Sequence, residues 1–170
     1  ILKHYQEKLG KDHLHILRGP CQGFVKNFMS MVCNPNIQAD YYAFADQDDI
    51  WMKDKSTRAL SFLSSMSQNT PGLYCSRTLY VDEQNQVIGP SQPYQRPPSF
   101  NNALVQNIAS GNTMVFNQAA RDLLVAIGQT QPIVYHDWML YLMVTACVAK
   151  SYLTKSQHCA TVNTATISSG

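Results

Sequence analysis

An apolar run that ends in three carboxylates constrains this chain more than any other feature of its sequence. Residues 41–45 (Tyr-Tyr-Ala-Phe-Ala) have the nearly uniform apolar character of a central, buried strand, and Asp46, Asp48 and Asp49 follow at once. Carboxylates this close repel one another, so they stay together only where they face water or share a cation. Oxygen ligands of this kind favour Mg²⁺ or Mn²⁺ over zinc. The pattern therefore indicates a metal site at a strand end, with a solvated acidic turn that caps the next helix as the open alternative.

Helical and strand-like segments alternate along the chain, which predicts an α/β fold rather than separate α and β regions. The predicted helices are 1–9, 20–32, 53–66, 101–107, 117–127 and 136–149. The predicted strands are 13–18, 41–45, 72–76, 78–81, 86–88 and 109–116. Asn117 is predicted to cap the fifth helix and Gly128 to end it. Because no repeat or linker divides the 170 residues, we expect a single domain.

Composition excludes several classes of protein. The 13 basic residues barely exceed the 11 acidic ones and form no run, so the chain lacks the electrostatic footprint of a nucleic-acid binder. The five cysteines are scattered without zinc-site spacing and are expected to be reduced core residues of a cytoplasmic protein. The longest apolar stretch, 138–149, is shorter than the roughly 20 residues that cross a bilayer. No His, Ser or Cys arrangement supports nucleophilic catalysis.

Four ordered segments carry a family resemblance. The run 44–51 (Phe-Ala-Asp-Gln-Asp-Asp-Ile-Trp), with Lys55 downstream, resembles the S-D-Q-D-D-I-W…K signature of family 2 glycosyltransferases, especially the bacterial rhamnosyltransferase-like branch. The other matching segments are Arg18-Gly19-Pro20 with Gly23 and Asn27-Phe28, the run 107–117, and His136-Asp137-Trp138. The resemblance covers roughly residues 13–153. It implies a GT-A-like, Rossmann-related fold with a mixed, mostly parallel sheet flanked by helices and lacking the first strands.

The resemblance also implies an inverting transfer of sugar from a nucleotide-diphosphate donor to a glycan or lipid-linked acceptor. Asp137 corresponds to the general base that takes the proton of the acceptor hydroxyl. Asp48, with Asp46, would hold Mg²⁺ or Mn²⁺ and so neutralise the leaving diphosphate. The implied donor-binding residues are Arg18, Gly23, Asn27, Asp46 and Gln47. The implied acceptor- or sugar-binding residues are Asp49, Trp51, Gly111, Asn112, Thr113, His136 and Trp138.

Some of these roles have a physical reason beside the resemblance. Gly23 and Asn27 lie near a predicted helix start, where backbone N–H groups favour the negative charge of a nucleotide. Gly111 would leave room that a side chain would obstruct. Each residue taken alone also has an ordinary structural explanation: Trp138 as a core residue, or Asp137 as an acid at a helix start. Only their joint order favours a transferase.

Departures from the family pattern qualify the expected activity. The family begins with a T-Y-N strand and a second base-binding strand, neither of which precedes Ile1. Residues 154–170 form an atypical tail, because Gln157-His158 is followed by the small residues 159–170 and does not continue the family's Y-R-Q-H element. We therefore expect a piece of a longer protein that binds nucleotide sugar weakly or not at all and self-associates through an open sheet edge. The branch builds bacterial surface polysaccharides, which implies a cytoplasmic location, peripheral at the inner face of the membrane.

Two rival functions come from other classes. Residues 46–49 also fit the D-x-D-D motif of class II terpene cyclases, but those are all-helical proteins and the strand pattern argues against them. The second rival is a truncated, transferase-like module that serves as a non-catalytic scaffold.

Overall fold

The computed structural model describes residues 1–93, 96–108, 110–128 and 131–147, together with the backbone of 150–162. Helices and strands are mixed along this part of the chain, which confirms the α/β class. The helices are α1 Leu2–Leu9, α2 Phe24–Val32, α3 Lys55–Leu63, α4 Phe100–Ala103, α5 Gln118–Ile127 and α6 His136–Ala146, with a short 3₁₀ helix at Gly111–Thr113. The strands are β1 Tyr41–Ala43, β2 Asp49–Trp51, β3 Gly72–Val81, β4 Val87–Pro90, β5 Val115–Asn117 and β6 Lys150–Val162.

The strands form one sheet in the order β1-β5-β3-β6-β2, and β4 pairs with the far end of β3. Only β3 and β6 pair in parallel, and the other four pairings among the described strands are antiparallel. The prediction of a mostly parallel sheet is therefore wrong. An apolar run such as 41–45 reports burial on both faces of a strand but carries no information about the direction of its neighbours.

The end of the chain is the largest departure from the sequence-based expectation. Part of the predicted tail, 154–170, belongs to β6, which runs along the whole of β3 and also pairs with β2. Residues 163–170 lie outside the described part of the chain. The predicted strand 13–18 does not form, and none of the described strands pairs with these residues.

Local signals placed several element boundaries correctly. The side chain of Asn117 accepts the backbone N–H of Ala120 at 3.0 Å, and Gly128 ends α5 with a φ of 66°, which confirms the predicted cap and stop. The predicted strands 78–81 and 86–88 correspond to the end of β3 and to β4, and the two strands form a hairpin. Its turn is held by Asp82, whose Oδ1 accepts the backbone N–H of Gln86 at 2.7 Å.

The core lies on both faces of the sheet because successive residues of β3 point in opposite directions. Leu73 and Cys75 join the larger cluster, under α2, α5 and α6, while Tyr74 joins a smaller cluster under α3. The larger cluster consists of Met29, Val32, Phe44, Leu73, Cys75, Ala103, Ile108, Met114, Phe116, Ala120, Leu124, Leu140, Tyr141 and Val144. Helices therefore flank the sheet, as predicted.

The cysteines depart in part from their expected role. Cys75 is buried, but Cys21 and Cys147 are exposed, so the expectation that the cysteines are core residues is wrong for these two. The four cysteines whose side chains are described, these three and Cys33, are all free thiols. In the described part of the chain, no helix combines the length and apolar character that crossing a membrane requires.

Candidate functional site

The acidic cluster, which consists of Asp46, Asp48 and Asp49, lies in the connection that runs from β1 to the first residue of β2, the outer strands at opposite ends of the sheet order. Gln47 and Asp48 are exposed in this connection, whereas Asp46 and Asp49 are partly buried. Asp49 is the first residue of β2 and is held in register opposite Thr161 of β6. The sheet thus fixes one end of the cluster and leaves Asp48 open to solvent.

Asp46 sits in a negative environment. Burial and the charges of Asp49, Asp48 and Asp137 all raise the pKa of Asp46, while the ammonium group of Lys55 lowers it. The contribution of Asp137 is informative, because that residue lies on α6, far along the chain from the cluster. The fold therefore brings the predicted base close enough to the predicted metal ligands for their charges to interact.

The 3₁₀ helix at Gly111–Thr113 connects Asp137 to the acidic cluster. The backbone N–H of Gly111 donates to Oδ2 of Asp137 at 3.1 Å, and the side-chain amide of Asn112 donates to Oδ2 of Asp49. All three residues of the 3₁₀ helix are buried. Thr113 stabilises the turn from within, since its hydroxyl donates to the carbonyl of Ser110 at 2.7 Å. Segments that the sequence predicted separately therefore meet at one buried turn.

Asp137 is oriented by three N–H donors. Its Oδ2 accepts from the Asn107 side chain at 3.0 Å and from Gly111, while its Oδ1 accepts the backbone N–H of Trp138 at 2.8 Å. A carboxylate has about four acceptor positions, two on each oxygen. Oδ1 receives one hydrogen bond from the described residues and can therefore also accept a bound hydroxyl group.

His136 lies in an aromatic box beside Asp137. Its ring stacks on Phe28 with a centroid separation of 4.1 Å and meets Phe44 edge-on at 4.6 Å. Neither ring nitrogen has a hydrogen-bond partner among the described residues. Burial lowers the pKa of His136 and the charge of Asp137 opposes that shift. Since Phe28 covers one face of this buried ring, Trp138, which is only partly buried, has the more accessible aromatic ring for a sugar.

Gly111 is in direct contact with the predicted base. A Cβ atom at this position would lie 3.2 Å from Cβ of Asp137 and 3.4 Å from Nε2 of His136. A side chain at Gly111 would therefore push against Asp137 and His136 themselves. The contact with Asp137 and His136 explains why residue 111 is glycine more directly than the predicted obstruction of a ligand does.

Gly23 and Asn27, two of the predicted donor-binding residues, lie at the start of α2, and Arg18 lies in the segment that precedes it. Gly23 precedes the helix with a φ of 89°, a conformation that favours glycine. Arg18 and Asn27 are exposed. The Asn27 side chain packs against Gly19, where a Cβ would lie only 2.2 Å from Oδ1 of Asn27.

The N-termini of α2 and α6 lie side by side. The ring of Phe24, the first residue of α2, lies 6.4 Å from the Tyr135 ring and 6.1 Å from the His136 ring at the start of α6. The unpaired N–H groups at a helix start attract anions. Two such ends in one region, beside Asp137, suit a ligand that carries negative charge.

Lys55 is a site residue to which the sequence assigned no role. It is fully buried in the first turn of α3, where its ammonium group lies 3.5 Å from the centroid of the Trp51 ring and donates to the backbone carbonyl of Asn112. Lys55 thus ties Trp51 and the 3₁₀ helix to the acidic cluster. The sequence likewise assigns no role to Asn107, which orients Asp137. The only sequence signal for either residue was its membership of a matched segment.

The carboxylates of the acidic cluster suit a metal ion that is also coordinated by a bound ligand better than one that is coordinated by protein side chains alone. Among the described residues, no three His, Cys, Asp or Glu side chains form a group that could hold a metal ion. Mg²⁺, however, commonly takes one or two protein carboxylates and completes its shell with water and phosphate oxygens. Asp48 is exposed, Asp46 is surrounded by negative charge, and Oδ1 of Asp49 is buried without a hydrogen-bond partner. These carboxylates are compatible with a divalent ion that arrives with a diphosphate.

No protein-family model matches this chain, and no curated protein is significantly similar to it. The activity must therefore be inferred from the residues and their arrangement.

Proposed function

We propose that this chain is a family 2 glycosyltransferase of the GT-A type, in the rhamnosyltransferase-like branch. It transfers a sugar from a nucleotide-diphosphate donor to a glycan or lipid-linked acceptor, with inversion and with Mg²⁺ or Mn²⁺. The process is bacterial surface polysaccharide synthesis at the cytoplasmic side of the membrane. The observation that carries the proposal is the buried turn Gly111–Thr113, which hydrogen-bonds to Asp49 of the acidic cluster and to Asp137 at the start of α6.

Asp137 acts as the general base in this proposal. The oxygen of the acceptor hydroxyl attacks the anomeric carbon of the donor sugar from the side opposite the diphosphate. The bond between the anomeric carbon and the diphosphate oxygen breaks, and Oδ1 of Asp137 takes the hydroxyl proton. Three hydrogen bonds, from Asn107, Gly111 and Trp138, keep the carboxylate in one orientation for this transfer.

The donor diphosphate would lie between the acidic cluster and the starts of α2 and α6. Asp48 and Asp46 would hold the divalent ion, which supplies neutralisation of the charge on the leaving diphosphate. Asp49 has a different role, because its Oδ2 is bonded to Asn112 and positions the 3₁₀ helix. Backbone N–H groups after Gly23 would contact negatively charged oxygens directly.

Product formation from a panel of UDP- and dTDP-sugars with Mn²⁺ tests the proposal. Donors are supplied at millimolar concentration, since weak donor affinity is expected from the sequence. We expect Asp137→Asn to lower the transfer rate by about 10²–10⁴-fold, the usual contribution of a general base. Asp12→Asn, at an exposed aspartate on a turn, is the matched control and should leave the rate unchanged.

Two results would contradict the proposal in different ways. Unchanged transfer in Asp137→Asn would show that the base is another group. Because weak or absent donor binding is already expected from the sequence, the absence of transfer even at millimolar donor is the result that would favour the non-catalytic scaffold instead.

A further inference from the structure

An apolar groove lies between α4 and α6, outside the acidic cluster. Its volume is about 280 Å³. The groove is lined by Ala103, Leu104, Pro132, Val134, Tyr135, Trp138, Met139 and Leu142. We propose that this groove binds an apolar chain, alkyl or isoprenoid, attached to the acceptor sugar. The inference rests on the proposed transferase function and specifies the class of acceptor.

The segments that line the groove also supply hydrogen bonds to Asp137, the proposed base. Trp138 lines the groove, and its backbone N–H donates to Oδ1 of Asp137 at 2.8 Å. Ala103 and Leu104 line the groove from the other side, and Asn107 in the same segment donates to Oδ2 of Asp137 at 3.0 Å. An acceptor whose hydroxyl meets Asp137 would therefore have its attached group next to the groove.

The chemistry of the lining favours an apolar ligand. Among the described residues, the lining contains no charged side chain, and its polar side-chain atoms are those of Tyr135 and Trp138. Nε1 of Trp138 already donates to the carbonyl of Ala103 at 2.7 Å and has no second proton to offer. Val134 and Leu104 are 73% and 59% exposed, so water covers apolar surface that a hydrocarbon would cover more favourably.

The size of the groove favours a small molecule over a protein partner. A helix with its side chains is about 10 Å across, and a groove that accepts one is much larger than this cavity. Ligand cavities for small molecules begin at roughly 300 Å³, which is close to the volume observed here. The rings of Tyr135 and Trp138 stack at 6.5 Å and give one wall a flat aromatic surface.

Binding is tested first with a single fluorescent reporter. The chain has two tryptophans, so Trp51→Phe leaves Trp138 as the only one. We titrate this variant with n-octyl β-D-glucoside, below the concentration at which it forms micelles, and with methyl β-D-glucoside. The octyl compound should change the Trp138 emission saturably, and the methyl compound should not. Leu104→Asp should abolish the change.

A neighbouring residue supplies the matched control. Val105 is 77% exposed and adjacent to Leu104 but does not line the groove, so Val105→Asp should bind the octyl compound normally. The groove assignment would be overturned if both glucosides changed the Trp138 emission equally. It would also be overturned if Leu104→Asp and Val105→Asp had equal effects on binding of the octyl compound. The same holds if the octyl compound does not bind and light scattering shows a dimer that Leu104→Asp dissociates, because a second copy would then occupy the groove.

Transfer assays separate this inference from the proposed function. With Trp51 intact, the donor panel is combined with octyl and methyl glycosides of glucose, galactose and rhamnose. We expect KM to be about tenfold lower, or more, for the octyl member of the productive pair, since each buried methylene favours binding several-fold. Transfer with equal KM for the octyl and methyl glycosides would contradict the proposed binding of an apolar chain in the groove, but not the proposed transferase function. No transfer to either, with any donor, would overturn the transferase and the acceptor role together.

Discussion

Replacement of Lys55 by methionine should destabilise the chain by about 2 kcal/mol, the net of opposing effects. Lys55 is fully buried and donates to the carbonyl of Asn112, and loss of this hydrogen bond from a charged group costs about 1.5–3 kcal/mol. Loss of the cation over the Trp51 ring costs about 0.5–1 kcal/mol more. Methionine keeps most of the apolar stem, and removal of a buried charge returns part of the loss.

The destabilisation by Lys55→Met should depend on pH. Lys55 lowers the pKa of Asp46, so its removal raises that pKa further above the usual value of 3.8. A carboxyl with a raised pKa destabilises the folded state above that pKa, where it is charged, and the penalty disappears as the pH falls and the group is protonated. The difference between wild type and variant should therefore be largest near neutral pH and shrink in mild acid.

Urea unfolding followed by circular dichroism at several pH values measures both effects. Lys53→Met is the matched control, since Lys53 is exposed and lies two residues away. Equal stability of Lys55→Met and Lys53→Met at pH 7 would show that the buried contacts of Lys55 contribute nothing. A loss of stability in Lys55→Met that is the same at all pH values would show that Lys55 is not coupled to Asp46.

Two further substitutions test the surroundings of Asp137. His136→Phe should raise the stability by about 1 kcal/mol because it keeps the stack on Phe28 and removes two buried nitrogens that have no hydrogen-bond partner among the described residues. Because the folded pKa of His136 is lowered, wild type should lose stability as the pH falls below 6.5 and the variant should not share that loss; equal thermal unfolding profiles against pH would contradict this. Gly111→Ala should cost about 1–3 kcal/mol in urea unfolding through its contact with Asp137, whereas Gly89→Ala, with nothing within 4 Å, should cost far less; equal effects would contradict it.

Much of the local structure could be predicted from the sequence because the signals were themselves local. The side chain of Asn117 caps the start of α5, and the backbone conformation of Gly128 ends this helix, so each end depends on a single residue. Strand direction could not be predicted, because the pairing partners are distant in sequence. The apolar residues 41–45 are compatible with either direction, and residues 154–162 of β6 resemble a tail because they mix polar and small residues without an alternating apolar pattern.

The candidate site could likewise be predicted only in part from the sequence. Three carboxylates in four positions after a strand are visible in the sequence, as is an aspartate at a helix start. The contacts that join them are not, because a buried lysine and an exposed lysine look alike in a sequence, and Lys55 was given no role. The burial of His136 was also hidden, since it depends on Phe28 and Phe44 meeting around one ring.

The central claim is that Asp137 and the acidic cluster form one site, and the pKa of Asp46 tests it most directly. Asp137 is among the charges that raise this pKa, so Asp137→Asn should lower it. The carboxyl carbon of Asp46 can be titrated by ¹³C NMR in wild type and in this variant, without knowledge of the donor or acceptor. A lower Asp46 pKa in Asp137→Asn is the predicted result; an unchanged pKa would show that the two groups are separate and would contradict the account.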